Sequence, residues 1–569
     1  MSNWKEKTPE KIIFRYNLFE LPTAQHKAGL AGLLVMLTSM ERRGLAPRPE
    51  VLDLSSTGVT IVLSRESLQV LFDDLFDAER VETQMKSRWS GTEPKNIIEV
   101  TIEKGNGEER EKRFVYDVLQ PKGLFLQEFF PDGNGAWIEL WRKMLWNILR
   151  AQPAARKVYE ERSRKKPSSV AEGVFASLCK EIKEAKQGKA TSESISGSVF
   201  LGAQNKNAEN VPFTGLPSEN FLLHFWHIVA LIFIPRTFAL ERGKDEAGRV
   251  TWRDYGFVIV IPEPSHLDVF SSEVCHILSG LDTACSGRWP SRAIINVLQE
   301  SALEYLHYFT HNQGQAACVH AVEIYHVHKQ GNNVKMLAME RICPEKSVLG
   351  QYERLRKERR DPVFNRFYLQ NILRGRLWYC GSDEIMLSYP VELLIYKSKK
   401  TKKDKKTSST MHCFSLDAQK VFFSIENELR LATEEEMKRE ANQDNLLALR
   451  IRNIVRQYVQ RKAEKKSGIP FRAFGKDEKG KIIYPAPYRE AVEKICMDIF
   501  LAMRDRKGER FVTYFTGTLC SEPQCLPEDD FLLIAQALIQ EQDKVKNLSL
   551  LAVSACSYLP RNKKDDTGE

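Results

Sequence analysis

Eleven histidines and eleven cysteines are the first places to look for chemistry in this 569-residue chain. His307 and His311 stand four apart in HYFTH, a spacing that sets both imidazoles on one helix face. A zinc protease needs Glu directly after the first His, and here that position is Tyr308. His326 and His328 alternate along one expected strand, again with no carboxylate or thiolate at ligand spacing. Ser265, His266 and Asp268 fall within four positions, but triad members converge from separate segments, and side chains this close in sequence are expected to point apart. The cysteines run from Cys179 to Cys556 without a C-x-x-C, so no zinc knuckle or redox pair is expected. No phosphate-binding loop, no G-x-G-x-x-G after a strand and no nucleophile elbow is present. The expectation is no catalytic residue, no metal and no cofactor, which favours a binding or scaffolding role. One alternative stays open: a metal-dependent nuclease or nucleic-acid-processing accessory enzyme with dispersed carboxylates.

Charge says more. The chain carries 84 Lys and Arg against 75 Asp and Glu, a net +9 that permits an anionic partner without requiring one. Between Arg450 and Arg510, 17 cations face 8 anions, so this stretch alone matches the excess of the whole chain. Arg450, Arg452, Arg456, Arg461 and Lys462 fall on one expected helix, the last four near one another and away from Tyr458. Such a flank can track a phosphate backbone, and a solvated face gives the same pattern. Arg354, Arg356, Lys357, Arg359 and Arg360 make a second basic block. Residues 397–406, KSKKTKKDKK, including Lys399 and Lys400, make a third that reads as an exposed loop. Lys86 and Arg88 flank Trp89 as a phosphate-and-base contact would, although Trp89 serves equally well as core.

The elements that position these groups read as α+β: a mixed α/β N-terminal body with β-hairpins, then an all-α helical bundle. Hydrophobic residues make up 42% and charged residues 28%, as in a soluble globular protein of several domains. A strand is predicted over 12–16 and a helix over 22–43, ended by Gly44, with Gly29 and Gly32 marking a close backbone approach. Alternation at Ile98, Val100, Ile102 and at Phe114, Tyr116, Val118 predicts a hairpin. Trp137, Trp141, Leu145 and Ile148 form a core-facing helical stripe. Residues 162–197, rich in Lys, Arg, Ser and Gly, read as mobile or ordered by a partner. FLLHFWHIVALIFI (221–234) is about 14 residues against the ~20 of a membrane span, so it reads as buried core. A strand over 255–261 closed by Pro262, and a pair over 319–328 and 334–342, complete the body. Helical stripes follow at Leu447, Ile451, Ile454 and Tyr458, at Val492, Ile495, Ile499 and Met503, and at Phe531, Ile534, Leu538 and Ile539. The expected domains are 1–160, a basic linker with a loop over 161–215, a central body over 216–430 and a helical bundle over 431–569. A polar N-terminus and irregularly spaced cysteines suit a cytoplasm with reduced thiols, with no membrane association.

Two strings carry a family resemblance: FRYNLFELPTAQHKAGLAGLLVML (14–37), and SVFLGAQNKNAENVPF (198–213) followed by the apolar run. Together they resemble the large subunit of type I CRISPR-associated effector complexes (Cascade), in the I-B-related branch. The resemblance implies a non-catalytic, prokaryotic, cytoplasmic subunit that works with a guide CRISPR RNA and the other Cascade subunits. It further implies recognition of a protospacer-adjacent motif on double-stranded DNA, help in strand separation, a hold on the displaced strand, and docking of a helicase–nuclease or of transposition proteins. Base pairing then reads the long sequence and the protein only a short motif. Under that reading Gly202, Gln204, Asn205, Lys206 and Asn207 form the motif-reading loop, where amides meet base edges and Lys206 a phosphate. An amide-rich surface turn is the plainer alternative. Gln25, His26 and Lys27 are the expected guide or subunit docking residues. Lys86 and Arg88, the basic blocks and the helical cations are the expected contacts to DNA backbone or displaced strand. Met437, or Met411, is a candidate internal start for a free small subunit.

Overall fold

The computed structural model describes residues 10–89, 91–104, 107–203, 212–241, 249–313, 318–343, 345–356, 361–396, 413–433, 440–476, 480, 482–521 and 528–560. The chain divides into two compact units, Met1–Leu349 and Gly350–Glu569.

In the first unit, β1 (Lys11–Asn17) pairs antiparallel with β3 (Gly58–Ser64), whose other edge takes β2 (Glu50–Leu52). Between β1 and β2 runs α1 (Ala24–Arg42), capped by the Thr23 hydroxyl, which accepts the His26 N–H. Gly44, at φ +68°, takes the left-handed conformation that stops a helix. α1 is apolar nearly all round and is buried nearly all round. A Cβ at Gly29 would overlap the carbonyl oxygen of Leu222, and one at Gly32 that of Phe225. The close approach predicted from this pair of glycines is therefore present, and it seats the apolar run 221–234 directly on α1.

α2 (Arg65–Leu75) begins in a capping box between Ser64 and Ser67. Next come β4 (Ala78–Met85), β5 (Asn96–Lys104) and β6 (Gly107–Pro121), a three-stranded sheet with β6 in the middle. The predicted hairpin is β5–β6, with Ile98 opposite Arg113 and Lys104 opposite Gly107. α3 (Ala136–Asn147) buries Trp137, Trp141 and Leu145, and Ile148 at its end is buried too. Residues 162–197, expected to be mobile or ordered by a partner, contain an 18-residue helix, α4 (Ser169–Lys186), capped by Ser168. Ala171, Phe175 and Leu178 recur at helical spacing and face α2, so an apolar stripe wins over the polar composition around it.

β7 (Glu193–Ser194) and β8 (Thr214–Gly215) pair antiparallel. The apolar run follows as α5 (Pro217–Leu222), a turn at Trp226–Ile228 and β9 (Leu231–Glu241), almost wholly buried from Phe221 to Ile234. β10 (Arg249–Asp254), β11 (Phe257–Pro264), α6 (Leu267–Ser279), β12 (Ile294–Ile295), α7 (Leu298–Gln313), β13 (Val319–Gln330) and β14 (Asn333–Ile342) complete the main sheet. Its order is β10-β9-β11-β13-β14, with β12 parallel beside β9. Every residue of β11 is buried, as a continuous apolar run at the centre of a covered sheet requires. Pro262 was expected to close this strand; it lies inside it, opposite Val322. α1 and α7 both pack on β11.

α8 (Lys346–Arg356) leads into the second unit, where α9 (Pro362–Leu373) and α10 (Phe414–Leu431) precede the bundle. The bundle is α11 (Glu440–Ser467), α12 (Ala486–Arg504), α13 (Glu509–Gly517), α14 (Glu528–Gln540) and α15 (Gln542–Ser557). α15, with the small-residue run LSLLAVSA, is its central helix and packs on α10, α11, α12 and α14. Leu447, Ile451, Ile454, Val492, Ile499 and Met503 are buried as their spacing predicted. The α14 stripe differs: Ile534 and Leu538 are buried, but Phe531 is 60% and Ile539 79% exposed. Asp530 is buried instead, in an ion pair with Arg450 at 2.7 Å, so the buried face of α14 is not the expected one. Among the described residues no helix is long and apolar enough to cross a membrane.

Candidate nucleic-acid interface

The geometry concentrates on the segment 196–203 and what holds it. Gln25, in the first turn of α1, is fully buried. Its amide donates to the Leu201 carbonyl at 3.0 Å and accepts the Leu201 N–H at 2.9 Å, a reciprocal pair that fixes the two peptide groups flanking one residue. Trp226 Nε1 donates to the Val199 carbonyl at 2.6 Å. The Arg150 guanidinium, itself buried against Phe76 and Tyr159, donates to the Ser198 carbonyl. Three carbonyls of a four-residue stretch are thus held by side chains from three distant parts of the chain. β7 and β8 clasp the other side, pairing Ser194 with Thr214. Gly202 has φ +95°, which favours glycine, and lies under the Met336 methyl. Gln204, Asn205, Lys206 and Asn207 lie outside the described residues, bracketed by this held stem.

Beside the stem opens a cleft of about 690 Å³. The stem, the 148–155 segment and the β13–β14 turn form its walls; Gly197, Gly202, Ala154 and Ala155 keep those walls low, and Asn332 and Asn333 supply amides. Close by, Arg156 lies over the Trp146 ring at 4.9 Å and donates to the Arg150 and Trp146 carbonyls, each at 2.8 Å. Burial, with Arg156 adding to it, pushes the Lys329 ammonium below its ordinary pKa. The cations here are held by carbonyls rather than by carboxylates, which leaves local positive charge beside a small-walled cleft.

The docking candidates are placed inside this unit. His26 is 3% exposed, and burial pulls its pKa down to about 4, so it is neutral at pH 7. Lys27 reaches Glu263 of β11 at 2.7 Å, and Arg341 of β14 meets the same carboxylate at 2.6 Å. Burial raises Glu263, but the bonds from Lys27 and Arg341 outweigh it, and the carboxyl titrates below the usual range. None of the three candidates offers a free side chain at the surface; they brace α1 against the stem and the sheet. Lys86 pairs with Glu111 at 3.5 Å, and Arg88 with Glu93. Trp89 stacks on Tyr116 with centroids 4.3 Å apart, so one face of the indole is taken.

The helical cations separate. Arg452 is 4% exposed, paired with Glu426 at 3.2 Å and lying over Phe422 and Phe423. It is a core residue and is withdrawn as a DNA contact, because its charge is already neutralised inside the bundle. Arg450 is the partner of Asp530. Arg456 is exposed and Arg461 half-buried. Lys462 sits over the Tyr458 ring at 5.5 Å, on the side of that tyrosine rather than away from it. Arg356 is half-buried on α8, which also carries Arg354. Lys357, Arg359, Arg360, Lys399, Lys400, Met411 and Met437 lie outside the described residues.

The enzymatic constellations do not assemble among the described residues. His307 is buried in α7. His326 bonds the Tyr255 carbonyl at 2.9 Å, and His328 stacks on the Tyr255 ring at 4.6 Å. Ser265 Oγ and His266 Nδ1 do meet at 3.2 Å, contrary to expectation, but Asp268 accepts the Val269 N–H at the start of α6. Among the described residues, no group of three or more His, Cys, Asp or Glu gathers as a metal site. Sequence reasoning missed Arg150, Trp226, Glu263 and Arg341; only the unpaired Trp and Arg inside an apolar context hinted at the first two.

The chain thus sets a braced loop stem on an α+β body and follows it with a helical unit that carries exposed cations. The family comparison agrees in extent: the model of the Type I-B CRISPR Cas8b N-terminal domain matches residues 49–317, and that of the C-terminal domain residues 319–556. The chain belongs to the Type I-B CRISPR Cas8b family, the large subunit of the type I-B Cascade complex. No curated protein sequence matches it.

Proposed function

We propose that this chain is the non-catalytic large subunit of an RNA-guided DNA surveillance complex, and that residues 202–210 read the protospacer-adjacent motif. In that role it also aids strand separation, holds the displaced strand with its helical unit and docks a helicase–nuclease. The observation that carries the reading is the stem: Gln25, Arg150 and Trp226 hold the carbonyls of Leu201, Ser198 and Val199, so the loop springs from a fixed base. Reading two or three base edges needs that rigidity, since hydrogen-bond discrimination is lost when donors wander by an ångström. The small-walled cleft and the carbonyl-held cations support close approach of a phosphate backbone there.

The test replaces Gln204, Asn205 and Asn207 with Ala in the assembled complex and measures binding to duplexes with and without the motif. The expected outcome is a loss of about tenfold or more on the motif duplex alone, since each good base contact is worth ~1–3 kcal/mol. Equal weakening on both duplexes overturns the assignment of the loop.

A further inference from the structure

In the second unit, α11, α12 and α13 enclose a cleft of about 640 Å³. Tyr458 comes to it from α11 and Tyr514 from α13, over an apolar floor from α12. Lys462, Lys465 and Lys466 line the rim along the last turns of α11, and Asp498 of α12 is its acid. Each ring is accompanied by a cation: Lys462 Nζ lies 5.5 Å from the Tyr458 centroid, and the Arg506 guanidinium 4.3 Å from that of Tyr514. Burial first, and then the neighbouring Tyr458 hydroxyl, push the Tyr514 phenol up, so the two hydroxyls share one environment.

Aromatic faces with cations at their edges suit a base and its phosphates together. A duplex keeps its bases stacked on one another and closed to tyrosine, whereas an unpaired nucleotide exposes its face. Asp498 has a different effect. A carboxylate repels phosphate but accepts a hydrogen bond from an exocyclic amino group, which cytosine and adenine carry and thymine lacks.

We infer that the Tyr458–Tyr514 cleft binds an unpaired nucleotide of a single strand, with its base on a tyrosine face, its phosphates on Lys465 and Lys466, and its amino group on Asp498. The cleft therefore prefers cytosine or adenine over thymine. This deepens the proposed hold on a displaced strand and rests on that reading only for where the strand comes from.

The experiment measures anisotropy of labelled oligomers of about 12 nucleotides, a length that spans a typical single-strand site. Oligo-dC, oligo-dT, a hairpin duplex and free dCMP as competitor are each titrated with the full-length chain. Oligo-dC is expected to bind more tightly than oligo-dT, and dCMP to compete poorly. Replacing Tyr458 and Tyr514 together with Leu weakens oligo-dC by about tenfold and leaves the duplex nearly unchanged, given ~1–3 kcal/mol per stacked base. The Tyr→Phe pair keeps wild-type affinity, and Asp498→Ala, which removes the acceptor, abolishes the dC preference. The inference is overturned if wild type shows no dC preference, if dCMP competes as well as the oligomer, or if the Leu pair, folded as judged by its melting, loses single strand and duplex in parallel. Should the Leu pair not fold, Asp498→Ala, expected to lose the dC preference, and a Lys465→Gln, Lys466→Gln pair, expected to weaken single strand, decide the matter alone. Co-purification of the wild-type chain with guide RNA and partner subunits is scored separately. Its failure removes the surveillance reading and leaves the cleft standing; failure of the oligomer assay does the reverse.

Discussion

Cations around the loop stem and cations along α11 differ in what holds them. In Met1–Leu349 arginines and lysines are structural: Arg43 grips Asp74 through two bonds, Arg142 holds the Pro121 and Lys122 carbonyls, Arg150 and Arg156 hold others, and Lys27 and Arg341 share Glu263. In Gly350–Glu569 Arg456, Lys465 and Lys466 stand exposed on one helix. Other cations of this unit are held as in the first: Arg452 by Glu426 and two rings, Arg450 by Asp530, and Lys544 by Asp444. A cation that must hold a loop in register has to be buried against a fixed carbonyl. One that follows a backbone of any sequence has to stay in water and move.

The largest effect that sharpens the contrast is expected at Gly32. Gly32→Ala drives a methyl into the Phe225 carbonyl, backbone against backbone, where neither side has a rotamer to yield. A loss of about 3 kcal/mol or more is expected, read as a drop in the melting temperature of the first unit with the second unchanged. A wild-type melt would show that α1 and the 222–228 segment shift freely, and the rigid half of the comparison would fail.

Acid comes next, and it acts on the units with opposite sign. Burial holds the imidazoles of His26 near 4 and of His224 and His227 near 3, against 6.5 when unfolded. Below pH 6.5 the unfolded chain takes protons that the folded one refuses, so this unit loses stability as pH falls. The loss is on the order of 2 kcal/mol per imidazole by pH 5. Asp361, at the cap of α9, behaves in reverse: burial, less the hydrogen bonds from Phe364 and Val363, raises it from 3.8 to about 6. The folded carboxyl keeps a proton that the unfolded one has released. Its contribution is therefore full below 3.8 and gone above about 6, worth on the order of 1 kcal/mol to the second unit between pH 7 and 5. Hydrogen exchange at pH 7 and pH 5, resolved by segment, checks both signs at once.

The smallest effect separates two arginines one turn apart. Arg452→Met is expected to cost about 1–3 kcal/mol, because the guanidinium over Phe422 and Phe423 is lost and Glu426 keeps only Arg430 as its charge partner. Arg456→Gln should leave the melt unchanged and lower the salt slope of DNA binding by about one phosphate. Equal stability losses would erase the distinction between buried and working cations.

Local pattern made much of this fold legible. The ends of α1, its two glycines, the β5–β6 hairpin and the buried 221–234 run are set by spacing over a few residues, and each is where the spacing put it. What stayed hidden is convergence. Gln25 and Leu201 are 176 positions apart, and no periodicity links an amide to a carbonyl at that distance. Composition misled where a short stripe overrode it, as in α4, and the charge of Arg452 gave no sign that two phenylalanines would enclose it. The Tyr458–Tyr514 cleft is likewise a product of three helices meeting, although Tyr458 alone looked like one more core position.

The first turn of α1 has a mechanical meaning. Gln25 grips the loop stem and Lys27, two residues on, grips β11 through Glu263, while Arg341 ties the edge strand to the same carboxylate. A pull on the stem at Leu201 therefore passes through Gln25 and Lys27 to the middle and rim of the sheet, a far shorter route than the chain between those positions.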